Sequence, residues 1–302
     1  MKIIFMGTPS YAEKILQRLL AEKNMTVVAV YTQPDKEVGR KKTVTPPVVK
    51  TLALENSIPV YQPKRLRDSE VVQELLKIEC DFIIVAAYGQ ILPLEILQHA
   101  TCINLHASIL PKYRGASPIQ QALLNGDVRT GITAMLMDIG LDTGDIIKID
   151  EIEINQTELS ESLFDRLADA ASDLTVDVLN NFESYTSVKQ DNSISSICSK
   201  IEKKDAIVEF DNAVVLYNKY RAFSVWPSVN LSSGLKLIKI ELIEDSSKNE
   251  SGKILKIEKD FIIVGCSIGT LKIIEVQPES KNRMSVISYI NGKRLSLADT
   301  LS

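Results

Sequence analysis

The sequence predicts an α/β protein in two parts, a doubly wound and mostly parallel sheet followed by a small C-terminal β-barrel. Three observations predict it. Short apolar runs alternate with helically spaced apolar residues up to about residue 182. A polar stretch without periodicity follows, and from residue 205 onward brief strand-like runs crowd between glycines. At 302 residues the chain exceeds one typical domain, for which ~100–200 residues is usual. The boundaries are therefore set at 1–183 for the first domain, 184–204 for a linker and 205–302 for the second.

Residues 3–6, 26–32, 81–87, 102–106 and 133–137 read as strands, being short, apolar and bounded by turn residues. The unbroken run Phe82-Ile83-Ile84-Val85-Ala86-Ala87 suits a parallel strand covered on both faces. Residues 10–21 carry Tyr11, Ile15 and Leu19 at helical spacing, with Leu16 and Leu20 beside them. Residues 71–78 and 119–124 are helical by the same test. The longest helical pattern is 159–182, with Leu163, Leu167, Ala170, Leu174 and Val178 on one face. Strands alternating with helices make βαβ units, hence a Rossmann-like sheet. After the polar stretch, strands are expected at 206–210, 235–242, 253–256, 261–266 and 271–276, with a short helix at 214–223. Gly234, Gly252, Gly265, Gly269 and Gly292 mark the turns. So many short strands in so little chain indicate an open, OB-like Greek-key barrel.

Composition narrows the class. Hydrophobic residues make up 45 % and charged residues 25 %, which excludes a disordered chain. No apolar run approaches the ~18–20 residues that span a bilayer. The start, Met1-Lys2-Ile3-Ile4-Phe5-Met6-Gly7, stops too early for a signal peptide and reads as a first strand. Cys80, Cys102, Cys198 and Cys266 form no Cys-x-x-Cys pair, so neither a metal nor a redox site is called for, and a cytoplasmic setting is expected. Net charge is −4, yet it is unevenly spread. Before residue 200 there are 19 basic against 26 acidic residues; from there on, 16 against 13. This excludes a general nucleic-acid coat but leaves room for a local basic patch.

Gly7-Thr8-Pro9 joins the first strand to a helix where a phosphate loop would sit. Neither G-x-G-x-x-G nor G-x-x-x-x-G-K-[ST] is present, so NAD and ATP are not expected ligands. Of the two histidines, His99 reads as an ordinary surface residue. His106 ends a strand, and Asn104, two residues earlier, points to the same face. Ligands of open α/β sheets bind at such strand ends, although His106 alone is as readily structural. Asp138-Ile139-Gly140-Leu141-Asp142-Thr143-Gly144 follows another strand. By itself it is a turn or a calcium-loop fragment, without the closing Glu of an EF-hand.

Between these pieces lies the decisive pattern. Asn104-Leu105-His106-Ala107-Ser108-Ile109-Leu110-Pro111, then Tyr113-Arg114-Gly115-Ala116, then Gly140-Leu141-Asp142-Thr143-Gly144, resembles the signature of the folate-dependent formyltransferases. The resemblance implies a catalytic centre of Asn104, His106 and Asp142, with 10-formyltetrahydrofolate as co-substrate and no metal. It implies that Ser108, Ile109, Leu110 and Pro111 bind tetrahydrofolate. It also places Tyr88, Gln90, Ile91 and Leu92 along the pterin pocket; from composition alone Ile91 and Leu92 are equally well plain core. The residue types suit the task. Formyl transfer builds negative charge on the formyl oxygen, which an amide and an imidazolium can receive, and it moves a proton from the attacking amine, which an imidazole or a carboxylate-held water can carry.

Two features separate the branches of the family. Residues 32–50, with Gly39, Arg40, Lys41 and Lys42, resemble the loop that the tRNA-formylating branch lays against an acceptor stem. There Arg40, Lys41 and Lys42 would meet phosphates. Arg221-Ala222-Phe223-Ser224-Val225-Trp226-Pro227 resembles that branch's second domain, with Val225 in place of a usual Pro. The partners implied are charged initiator tRNA and folate, with no membrane, and a monomer is expected. The alternative is an amino-sugar N-formyltransferase using the same folate. A non-catalytic binding module fits less well, since all three catalytic positions are present.

Overall fold

A computed structural model describes residues 1–39 and 41–301 of the chain, which divide into two compact units. The first comprises Met1–Pro118, Arg129–Glu153 and Phe164–Cys198. Its strands are β1 (Lys2–Gly7), β2 (Thr26–Tyr31), β3 (Lys36–Val38), β4 (Thr43–Thr45), β5 (Val60–Tyr61), β6 (Phe82–Ala86), β7 (Thr101–His106), β8 (Arg114–Gly115), β9 (Arg129–Leu136), β10 (Ile146–Glu153) and β11 (Ile197–Cys198). The helices up to its end are α1 (Ser10–Leu20), α2 (Val48–Glu55), α3 (Ser69–Leu75), α4 (Leu94–Leu97), α5 (Pro118–Asn125) and α6 (Ser160–Asn180). Most of α5 and the first turn of α6 count with the second unit.

Seven strands form one sheet in the order β10-β9-β7-β6-β1-β2-β5. From β5 to β7 the neighbours run parallel, while β9 and β10 are antiparallel additions. The chain leaves β1 for β2 on one side and reaches β6 on the other. In open α/β sheets ligands bind beyond the carboxyl ends of the strands at such a reversal of strand order. The reason for the central strands is plain in β1: Ile3, Ile4, Phe5 and Met6 are all fully buried. Alternating side chains point to opposite faces, so a strand buried on both must be apolar throughout. Ile4 and Met6 join Ile83, Val85, Tyr88 and Leu92 in one core. On α1, Tyr11, Ile15 and Leu19 are buried as their spacing requires. Burial of each such side chain contributes ~1.5–3 kcal/mol. Tyr11 also packs edge-on against Phe164 and donates its hydroxyl to the Leu105 carbonyl.

Several elements differ from the sequence expectation. β10 is a full strand, yet its run Ile146-Ile147-Lys148-Ile149-Asp150-Glu151-Ile152-Glu153 is half polar, because it forms the sheet edge with much of its surface in water. Pro46-Pro47 precedes α2, whose first residues, 48–50, the sequence reads as the end of the basic loop. Among the described residues the β3–β4 hairpin pairs only with itself, as a separate two-stranded sheet. The expected linker at 184–204 is divided: as far as Cys198 it packs with the first unit, where β11 pairs in parallel with β8. Its backbone is held by bonds from side chains and from neighbouring strands, a pattern that no hydrophobic period announces.

The second unit comprises Ile119–Val128, Ile154–Leu163 and the chain from Ser199 on. It adds β12 (Ile207–Val208), β13 (Asn230–Leu231), β14 (Lys236–Lys248), β15 (Ile254–Ile257), β16 (Ile262–Gly265), β17 (Ile268–Gln277) and β18 (Met284–Ser285), with α7 (Ala213–Ala222) and α8 (Val286–Lys293). The sheet order is β12-β13-β14-β17-β16-β15, and β18 pairs with β17. Just past β12 the chain accepts bonds from Ser267 and Ile268 at the start of β17, which curls the sheet into a barrel-like form. Arg221, on α7, is 5 % exposed and donates to the carbonyls of Glu158 and Asn155, both at 2.9 Å. Burial holds its guanidinium below the ordinary value. Those bonds fasten the 154–163 segment within this unit.

Cys102, Cys198 and Cys266 are buried and Cys80 is half-buried. Burial pushes the Cys102 and Cys266 thiols up to about 12 and that of Cys80 up to about 11. Among the described residues, no helix is long and apolar enough to cross a membrane.

Candidate active site

At the sheet's carboxyl edge run the segments of chain that leave β1, β6 and β7. Thr8, after β1, donates its hydroxyl to the Tyr88 carbonyl at 3.3 Å, and Gln33, after β2, donates its amide to the same oxygen at 3.0 Å. β7 ends in Asn104 and His106, on one face as strand geometry demands. The loop between β9 and β10 brings Asp142 to them.

The three side chains converge. Asn104 Nδ2 donates to Asp142 Oδ1 at 3.3 Å. His106 Nδ1 lies 3.7 Å from Asp142 Oδ2, and that oxygen also accepts the Gly115 backbone N–H at 2.8 Å. His106 is 6 % exposed, and its Nε2 is 2.8 Å from the Tyr113 carbonyl. A carbonyl only accepts, so Nε2 carries hydrogen and Nδ1 is the nitrogen left to gain or lose a proton. That nitrogen faces Asp142. Asp142 itself sits in the left-handed region at φ 53°, which an aspartate tolerates better than most residues. Gly144 follows so closely on β9 that a Cβ there would meet the Leu136 carbonyl at 1.8 Å.

The remaining expected positions divide. Ser108 is fully buried; its hydroxyl donates to the Lys112 carbonyl at 2.7 Å, and its own carbonyl accepts from Thr133. Leu110 is buried beside it, and Ile109 and Pro111 are half-buried. Tyr88 and Leu92 put their side chains into the core. The Gln90 side chain is engaged by the Leu66 N–H and the Pro63 carbonyl. Ile91, by contrast, is 79 % exposed. What residues 88–92 offer outward is therefore backbone and Ile91. Lys41 and Lys42 are exposed at the β3–β4 turn, with Lys42 3.8 Å from Glu37; Arg40 lies outside the described residues. His99, read as an ordinary surface residue, is half-buried with Nε2 2.9 Å from the Ile78 carbonyl.

Sequence reasoning passed over two hydrogen-bonded groups, of which the first reaches Asp142 through Gln190. Arg114, 7 % exposed, donates to Gln190 Oε1 through Nε at 3.0 Å and Nη2 at 2.7 Å, and to Asn192 Oδ1 at 2.8 Å. Tyr185 and Lys148 both donate to the Asp177 carboxylate. Lys148, ahead of Tyr185, holds that carboxyl below its usual range. The sequence clue to these partners is Arg114, a second basic residue two positions after Lys112 in the motif.

Comparison with known proteins shows the family. The family model "Formyl transferase" matches residues 1–179, and "Formyl transferase, C-terminal domain" matches 200–294. The chain belongs to the formyl transferase family. A methionyl-tRNA formyltransferase of Sulfurimonas denitrificans is 68 % identical over 302 residues, covering 100 % of both chains. Another, of Campylobacter jejuni strain RM1221, is 46 % identical over 99 % of each. Among solved structures, an N-formyltransferase from Helicobacter canadensis, in complex with folinic acid and dTDP-3-aminofucose, has a TM-score of 0.69 at 20 % identity. It covers 92 % of this chain and 100 % of its own, and at that identity the likeness speaks for the fold alone.

Proposed function

We propose that the chain is a methionyl-tRNA formyltransferase, moving the formyl group of 10-formyltetrahydrofolate onto the methionine amino group of charged initiator tRNA for translation initiation. The observation that carries this is the convergence of Asn104, His106 and Asp142 at one strand end, in a chain so similar over its whole length to enzymes of that name.

The chemistry follows from the geometry. The amine attacks the formyl carbon, a carbon–nitrogen bond forms, and negative charge grows on the formyl oxygen. An Asn104 amide that gives one N–H to Asp142 has a second for that oxygen. Collapse breaks the bond to the folate nitrogen. The amine loses a proton and the folate nitrogen gains one, so a group that accepts and returns a proton suffices. His106 Nδ1, with Nε2 committed to Tyr113, fits that part. The Asp142 carboxylate, anchored by Gly115, stands beside that nitrogen and orients the ring. In this reading the folate lies along residues 88–92 and 108–111, meeting backbone and Ile91 more than the buried side chains of Tyr88 and Leu92. Arg40, Lys41 and Lys42 meet the tRNA.

The test offers 10-formyltetrahydrofolate with either methionyl-tRNA or a nucleotide-linked amino sugar. Formyl transfer to the tRNA is expected, with none to the sugar. The reverse preference would establish the amino-sugar reading instead.

A further inference from the structure

The chain between Tyr185 and Cys198 is strapped across the loops that carry the site. Val188 exchanges both backbone bonds with Ile146 at 2.8 Å. The Ser196 carbonyl accepts the Arg114 N–H at 2.9 Å, and its hydroxyl accepts the Tyr113 N–H at 2.9 Å. At the centre stands Gln190. Its Oε1 accepts twice from Arg114, and its Nε2 donates to the carbonyls of Asp142 at 2.9 Å and Gly144 at 2.8 Å. A carboxamide has two acceptor positions and two N–H groups, and here all four are used. The partners are one-way, since a guanidinium only donates and a carbonyl only accepts. The orientation of the amide is therefore fixed by chemistry.

We propose that Gln190 is a positioning residue for the transfer reaction. Through the backbone carbonyl of Asp142 it holds that residue's carboxylate at the Gly115 N–H and beside His106. Three points support a role beyond general stability. Gln190 bonds the very residue whose carboxylate faces the histidine. That residue has positive φ, a conformation that relaxes unless its surroundings hold it. And the bond from Gly115 to Asp142 crosses the same pair of loops that Gln190 joins, so the two fix the carboxylate from both ends.

The inference rests on the formyl-transfer reading, and Gln190→Glu and Gln190→Ala in the full chain test it. The glutamate keeps, and by charge strengthens, the link to Arg114. It has no N–H for Asp142 or Gly144, whose carbonyls would then face oxygen. If Gln190 served only to anchor Arg114, Gln190→Glu would be as active as the parent. As a positioning residue, it should lose roughly 10- to 100-fold in kcat, as a displacement of about 1 Å at a reacting group does. KM for folate and for tRNA should stay within about threefold, and Tm within a few degrees. Hydrogen exchange of the 140–146 amides should quicken in both variants. If Gln190→Ala fails to fold, the glutamate variant decides alone. A Gln190→Glu kcat within about twofold of the parent, or unchanged exchange at 140–146, overturns the proposal. A parent chain that formylates no methionyl-tRNA overturns the functional reading instead, and the exchange measurement still decides whether Gln190 holds the loop.

Discussion

At the scale of single residues, the site depends on which atoms can only give and which can only accept. Asp142 offers one oxygen to the Asn104 amide and the other to the Gly115 N–H. In Asp142→Asn a single carbonyl oxygen must serve both donors, while the new amide group confronts one of them. The substitution thus removes a charge beside His106 and one fixed contact together, at nearly constant volume. His106→Ala removes the proton carrier and its bond to the Tyr113 carbonyl, which also accepts from Cys198 Sγ. Each change is expected to lower kcat by ~10²–10⁴-fold, typical for one electrostatic or acid–base group. Folate affinity, measured by calorimetry with a stable formylfolate analogue, should move only a few-fold. A folded His106→Ala with near-normal turnover would remove that residue from the mechanism.

At the scale of elements, β8 and β11 form a two-residue junction between the Tyr113–Gly115 turn and the strap. Gly115 has φ 115°, and a Cβ there would lie 2.4 Å from the Cys198 carbonyl. Gly115→Ala should therefore part the two strands, at a cost of about 1–3 kcal/mol for the backbone alone. The check is a lowered Tm together with faster alkylation of Cys198, which is 2 % exposed in the intact fold. An unchanged Tm would mean that the junction carries no strain. The same elements explain what was legible beforehand. β1, β2 and β6 were visible because burial on both faces demands a nearly unbroken apolar run. The positions of Asn104, His106 and Asp142 were visible because their motif is specific. β10 was hidden by its wet edge, and α2 by a neighbourhood of prolines and lysines. The strap was hidden because Gln190, Asn192 and Ser196 act through hydrogen bonds between residues far apart in sequence, which leave no period to read.

At the scale of the whole molecule, the question is how a chain of net charge −4 holds a polyanion. The 19 basic residues before position 200 are outnumbered by 26 acidic ones, so the field of that half repels RNA unless a local cluster meets it. The proposed cluster is Arg40, Lys41 and Lys42. Lys41 and Lys42 sit at a hairpin whose strands, among the described residues, pair with nothing else, so changes there leave the seven-stranded sheet undisturbed. The surplus of 16 basic over 13 acidic residues from position 200 on adds a second, weaker attraction. Changing Arg40, Lys41 and Lys42 together to Ala should raise KM for methionyl-tRNA steeply and leave folate binding intact. Each lost phosphate contact should also flatten the dependence of log affinity on log salt by ~0.7–0.9. The salt series matters because a misfolded hairpin could raise KM without changing that slope. A triple variant with the parent's affinity and slope would show that the hairpin does not meet the RNA, and would shift attention to the amino-sugar reading.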